Sequence, residues 1–353
     1  MKAEGKTRAI LEGLLCALLM AFSVAAVWAV VSDYQSLAVV SEGVTLVGRD
    51  LAGMTRDQVR TAIDEAVSTP MMRPLIVTGS GGTWSLDPKG IVTLDVDSMI
   101  DQAYAPARNA SIVTRVVSRI AGEPLPADVE PVHSVATSTL AAWVRQTAAR
   151  VDTEPVNAKR AVVKYHIRIT PAVYGASVDQ TKAVDLIAQA LTDEAALASA
   201  SRTVSLPIDA VPPKVAESSF GRAIVVSLSQ CRVRLFDGGK LIKSYLCAPG
   251  RPAWPTPTGD FSIVRKLANS PWYNPHSTWS ASMPDVIPGG PGNPMGDRKI
   301  GINYPGIFLH GIPASEYSSI GTHASHGCMR MMPSAVHDLY GRVKVGDPVF
   351  IRS

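Results

Sequence analysis

Residues 307–330 read IFLHGIPASEYSSIGTHASHGCMR. An apolar run ends on His310, and eighteen positions later Cys328 closes the tetrapeptide Ser325-His326-Gly327-Cys328. A thiol does acyl chemistry as its thiolate, so a nucleophilic cysteine needs a base beside it and N–H groups to hold the oxyanion that forms. His310 is the candidate base, and Gly327 gives the backbone the freedom to turn the amides around Cys328 toward a substrate carbonyl. A small buried cysteine and a hydrogen-bonded core histidine are the commoner fates of these residue types. What surrounds the stretch decides between the two readings.

The chain has 353 residues, 46% hydrophobic and 18% charged, enough for two or three domains. Net charge is +4 with Lys and Arg scattered rather than gathered, so nothing argues for nucleic acid. Gly13 to Val31 is a run of nineteen uncharged residues behind Lys2, Lys6 and Arg8. Such a run crosses a bilayer as a helix and leaves the cationic residues in the cytoplasm. The expectation is a cytoplasmic tail over 1–12, a transmembrane anchor over 13–31 and a single-pass protein of the cell membrane whose remainder is extracytoplasmic. A cleaved signal peptide is the alternative, because Ala26 and Ala29 sit near the end of the run.

Beyond that segment lie Cys231, Cys247 and Cys328, an odd number, which in an oxidising compartment means at most one disulfide and one free reactive thiol. Cys231 and Cys247 flank the turn Asp237-Gly238-Gly239-Lys240, and whether they face each other depends on strand register.

Residues 41–216 read as mixed α+β without a catalytic grouping, with two modules at about 41–128 and 132–216 as one division. Thr55 and Gln58 form a capping-box pattern ahead of Val59, Ala62, Ile63 and Ala66, which predicts a helix from Thr55. Strands at 74–77 and 84–86 flank the turn Gly79-Ser80-Gly81-Gly82, and helices follow on Leu140, Trp143, Val144 and Thr147 and on Val184, Ile187, Ala188 and Leu191. Val211-Pro212-Pro213-Lys214-Val215 is a stiff linker, and a β-rich domain starts near Ser218. Ile224–Leu228, Arg232–Phe236 and Leu241–Cys247 are its first strands. Ser270 to Asp297, rich in Pro, Gly, Trp and Tyr, is expected to wall or cover a cleft. Pro333 opens a helix, and Val343 to Ile351 reads as a strand pair turned at Gly346-Asp347-Pro348.

Pro255-Thr256-Pro257-Thr258-Gly259-Asp260-Phe261, Gly292-Asn293-Pro294-Met295-Gly296, Leu309-His310-Gly311 and Ser325-His326-Gly327-Cys328-Met329-Arg330 follow one another behind an export signal. Together they resemble the catalytic domain of the YkuD-type L,D-transpeptidases over 218–353. Pro155-Val156-Asn157-Ala158, Gly175-Ala176-Ser177-Val178-Asp179 and the strand at Val204 resemble the peptidoglycan-binding module found ahead of some cell-wall enzymes. The resemblance implies an α+β multidomain chain whose C-terminal part is a β-rich sandwich.

It also implies that a cysteine thiolate attacks the peptidoglycan stem tetrapeptide between its third-position diamino acid and D-Ala, and that an amine acceptor resolves the thioester into a 3→3 cross-link. No cofactor is implied, and acylation by carbapenem-type β-lactams is expected. Carried onto this sequence, Cys328 is the nucleophile and His310 its base. The Gly311 carbonyl orients the histidine, and the Gly327 and Cys328 amides form part of the oxyanion hole. His326 and Ser325 are supporting candidates. Arg330 stands where a guanidinium would hold a stem-peptide carboxylate, and Tyr304 or Tyr273 would supply a second oxyanion donor.

Three other readings compete. His310, His323, His326 and Cys328 are legitimate zinc ligands, although their spacing is not a usual structural pattern. An L,D-carboxypeptidase would hydrolyse the same bond, and a wall-binding anchor would do no chemistry.

Overall fold

The computed structural model describes residues 2–193, 199, 201–290 and 292–353. The chain forms two compact units, Met1–Thr153 with Ala176–Ala210, and Glu154–Gly175 with Val211–Ser353.

The first unit begins with α1, Lys2–Ser36, which contains the uncharged run; its side chains from Leu14 to Val31 are almost all exposed. By length and composition Gly13–Ser36 is able to cross a membrane. The Thr55 N–H donates to Gln58 Oε1 at 2.9 Å and starts α2, Arg56–Ile63, which buries Val59, Ala62 and Ile63. Two helices that periodicity did not single out follow: α3, Val96–Asn109, capped by Asp95, and α4, Ile112–Ala121, capped by Ser111. Pro106 inside α3 masks the first of these, since a proline ordinarily marks a helix end. The expected helices at 140 and 184 are α5, Thr137–Val151, and α6, Gln180–Thr192.

The two-module division at 128/132 is not how these elements pair. Strand Leu75–Gly79 lies parallel to Arg202–Ser205, and Leu75, Val77 and Leu86 share a core with Leu140, Val144, Ile187 and Leu191. A second core joins Val44, Leu46, Val59 and Ile63 to Met99, Ile100 and Val129. The two cores thus alternate along the chain, each built from two separate stretches.

In the second unit eight strands close into a barrel: β1 Arg222–Ser227, β2 Arg232–Asp237, β3 Lys240–Ala248, β4 Gly259–Ala268, β5 Arg298–Ile302, β6 Phe308–His310, β7 Met329–Met331 and β8 Pro348–Arg352. Their order is β1-β2-β3-β7-β6-β5-β4-β8, and β8 returns parallel to β1, so the implied sandwich has no free edge. Ile224, Val226, Val233, Leu235, Met329 and Met331 fill the interior together with Val336 and Leu339 of α7, Pro333–Arg342. Pro333 starts that helix, as read from the sequence, but Val343–Asp347 forms a turn and not a strand, because Lys344 N–H and Asp347 N–H bond within it.

The other face of β1 explains a second difference from the 41–216 and 218–353 division. Ala223 and Val225, with Phe236, pack on Ile167 of the hairpin Lys159–Val163/His166–Thr170. Both faces of β1 are buried, so residues 154–175 belong with the β-rich unit.

Candidate active site

Parallel pairing of β6 with β7 sets Leu309 opposite Met329 and His310 opposite Arg330, so the end of the apolar run and the cysteine before β7 reach the same place. His310, Ser325, His326, Cys328 and Arg330 line one cavity of about 570 Å³. Its far wall comes from the 270–297 segment through Trp272, Tyr273, Pro275, Trp279, Pro294 and Met295. That segment is held by buried groups: Lys299 donates to the Ser270 and Pro271 carbonyls at 3.0 Å, and the Asn293 amide donates to Pro288 O at 2.9 Å.

His310 is 3% exposed, and its Nδ1 stands 2.6 Å from the Gly311 carbonyl. A carbonyl only accepts, so Nδ1 carries the proton and Nε2 keeps its lone pair. Burial lowers the imidazole to about 4, against the Gly311 carbonyl and with help from Arg330 and Lys299. Cys328 is half-buried, and its Sγ–H points to the Gly306 carbonyl at 3.4 Å. Burial pushes the thiol up to about 11, opposed by the Phe308 N–H and by Arg330. At rest the thiol and the imidazole are therefore both neutral.

The backbone around the cysteine is fixed by two hydroxyls. Ser325 Oγ donates to Cys328 O at 2.6 Å and accepts from Gly327 N–H at 3.1 Å. That bond occupies the Gly327 amide, against the expectation that it is free to serve as an oxyanion donor. Thr256 Oγ1 donates to Gly327 O at 2.8 Å and accepts from Gly250 N–H at 2.9 Å. Thr256 lies inside a quoted motif yet was given no role by sequence; only the fold shows that it is buried under the cysteine loop. Gly327 has φ +110, where an L side chain is strained, and a Cβ there would stand 3.2 Å from Ile307 Cδ1, which would have to shift by a few tenths of an ångström.

The remaining candidates separate. His326 stacks on Trp279 at 4.2 Å between ring centroids and meets Trp254 edge-on at 4.9 Å, with Arg251 bonded to its Nε2. Burial, then Arg251 and Arg330, hold its pKa below the usual histidine value. Arg330 forms an ion pair with Glu316 at 2.7 Å, a partner within the opening stretch that sequence reading passed over. Tyr304 does not line the cavity: the turn before β6 lays its ring edge-on against Phe261, 5.9 Å away, whereas Tyr273 lines the opposite wall. His323 Nδ1 bonds to the Gly250 carbonyl at 3.0 Å. Cys231 and Cys247 are both buried and free. Among the described residues no three His, Cys, Asp or Glu side chains are grouped to hold a metal ion.

An eight-stranded barrel thus brings a buried histidine and a cysteine on a glycine turn to one walled cleft. Comparison with known proteins says what this domain is similar to. Residues 221–351 match the family model of the L,D-transpeptidase catalytic domain, YkuD, and residues 83–196 match that of a peptidoglycan binding domain. Residues 221–351 are thus similar to YkuD-family L,D-transpeptidase catalytic domains, and residues 83–196, earlier in the sequence, to a peptidoglycan binding domain.

YkuD of Bacillus licheniformis, named as an L,D-transpeptidase, is 30% identical over 128 residues, 36% of this chain and 64% of that protein. YcfS of Escherichia coli, named likewise, is 28% identical over 163 residues, 43% of this chain and 49% of that protein. The matches thus span about half to two thirds of those relatives. Among solved structures, the catalytic domain of an Enterococcus faecium L,D-transpeptidase is 22% identical with a TM-score of 0.31, covering 38% of this chain and 98% of that one. L,D-transpeptidase 3 of Mycobacterium tuberculosis with a faropenem-derived adduct is 18% identical with a TM-score of 0.32, covering 59% and 85%.

Proposed function

We propose that the protein is a peptidoglycan L,D-transpeptidase held at the outer face of the cell membrane by α1, with Cys328 as nucleophile and His310 as base. The observation that carries this reading is the single cavity shared by Cys328 and His310 Nε2's own ring, in a domain matched by the L,D-transpeptidase family. The thiol proton passes to His310 Nε2 as Sγ attacks the carbonyl between the third-position diamino acid and D-Ala. The Cys328 N–H holds the oxyanion, worth about 10²–10³ in rate for one donor. Collapse returns the proton to the leaving D-Ala amine and leaves a thioester; an acceptor amine then attacks its carbonyl, gives its proton to His310 and expels the Cys328 sulfur, which takes that proton back as the 3→3 cross-link forms. Two easier steps replace one attack on an amide.

The wide wall at Tyr273 and Trp279 suits a peptide lying across the cleft, and residues 83–196 serve to bind glycan. Carbapenem-type β-lactams acylate the same thiol.

Mass spectrometry of the purified protein with a disaccharide-tetrapeptide tests the reading. The expected result is a thioester on Cys328 and a cross-linked dimer. Release of a tripeptide without dimer means a carboxypeptidase, and no adduct in the presence of intact fold overturns the proposal. Cys328→Ala is expected to abolish both products.

A further inference from the structure

α4, Ile112–Ala121, is amphipathic in the reverse sense to an ordinary surface helix. At 100° per residue Ile112, Val113, Val116, Val117 and Ile120 fall on one side and Thr114, Arg115, Ser118 and Arg119 on the other. A helix on a soluble domain buries the first side and wets the second. Here Val113, Val117 and Ile120 are 68%, 55% and 82% exposed, and no residue of the helix is buried. The polar side is the one turned to the protein: Arg115, Ser118 and Arg119 line a cavity of about 310 Å³ with Ser36 and Glu42.

The docking point is specific. Arg115 grips the buried Asp33 carboxylate bidentately, Nε to Oδ1 at 3.0 Å and Nη2 to Oδ2 at 2.7 Å, and Arg119 bonds to Ser32 at 3.4 Å and to Ser36. Asp33 is the first charge after the uncharged run, in the last turn of the stretch able to cross a membrane. The outward apolar face of α4 is therefore tied to the place where a bilayer surface would lie.

We propose that α4 is an interfacial helix that sets Val113, Val117 and Ile120 into the headgroup–acyl boundary of the outer leaflet beside α1. The occupant is lipid because the Asp33–Arg115 pair fixes α4 at the end of α1, and one bilayer would cover the exposed apolar side chains of both helices. The inference rests on the membrane-anchored reading of α1.

The test uses the full chain with Cys16→Ser and Cys328→Ser, which leaves Cys231 and Cys247 buried. It is reconstituted in phosphatidylethanolamine–phosphatidylglycerol vesicles and carries a nitroxide at Val117→Cys, Val24→Cys or Thr114→Cys in turn. Relative to the label at Thr114, the label at Val117 is expected to collide more with oxygen and less with a water-soluble nickel chelate. Val24 wet overturns the anchor itself and the inference with it. Val24 in lipid with Val117 as wet as Thr114 overturns the inference and leaves the anchor standing. A Val117 label shielded from both reagents and dipole-broadened by a second label means that another copy of the chain covers the face, which also overturns it.

Discussion

His310 Nδ1 donates its proton to the carbonyl of the next residue, Gly311, at 2.6 Å. The bond commits one ring nitrogen and leaves Nε2 as the base, in a site where burial keeps the imidazole neutral down to about 4. Carbapenem acylation of Cys328 is therefore expected to hold level as pH falls through the usual histidine range and to drop only near 4, rising on the alkaline side toward the thiol value of about 11. Stopped-flow acylation against pH checks this, and an acid limb centred near 6.5 would count against it. The sign for stability follows from the same shift. The folded value lies below the unfolded one, so stability present above about 6.5 is lost as pH falls toward 4, by about 3 kcal/mol at most from this group.

Thr256 bridges Gly250 N–H and Gly327 O beneath the cysteine loop. Thr256→Val keeps the shape but strands a buried donor and a buried acceptor, at a cost of about 1–3 kcal/mol each. Denaturant unfolding is expected to show that loss together with slower acylation, while Thr256→Ser restores both.

Trp279 stacks on His326 from the 270–297 wall. Removing it in Trp279→Ala rehydrates the imidazole, whose low pKa comes first from burial. The His326 titration followed by NMR is expected to move up toward the ordinary value, and KM for a stem peptide to rise more than kcat falls. An unmoved titration would show that the charges of Arg251 and Arg330 set it.

Glu316 already occupies the Arg330 guanidinium. If Arg330 is to hold a substrate carboxylate, the peptide competes with Glu316, so Glu316→Gln is expected to lower KM for the stem peptide, and Arg330→Lys to raise it because the bidentate fork is lost. Steady-state kinetics on both variants decides the matter; a raised KM in Glu316→Gln removes Arg330 from substrate binding.

These details mark the limit of what the sequence discloses. His310 and Cys328 were legible because each sits next to its own signal, an apolar run and a glycine turn. The hairpin strands around Asp237-Gly238-Gly239-Lys240 were legible for the same reason, their turn being local. Thr256 lies 71 residues from the carbonyl it holds, and the Trp279–His326 stack joins two loops far apart in sequence. Tyr304 shows the converse: it lies close in sequence to the site, and a turn sends its ring to Phe261. The α3 and α4 helices escaped because one holds Pro106 and the other turns its apolar stripe away from any core.

The hairpin at 159–170 covers Ala223, Val225 and Phe236 although residues 176–210 return to the other unit. The chain thus passes from one unit to the other at 153/154, at 175/176 and at 210/211. A single recombination junction near 216 would hand the barrel to a new host with one side of β1 stripped to water. Any transplant of this barrel would therefore have to carry residues 154–175 along as a separate insert to keep Ala223, Val225 and Phe236 covered.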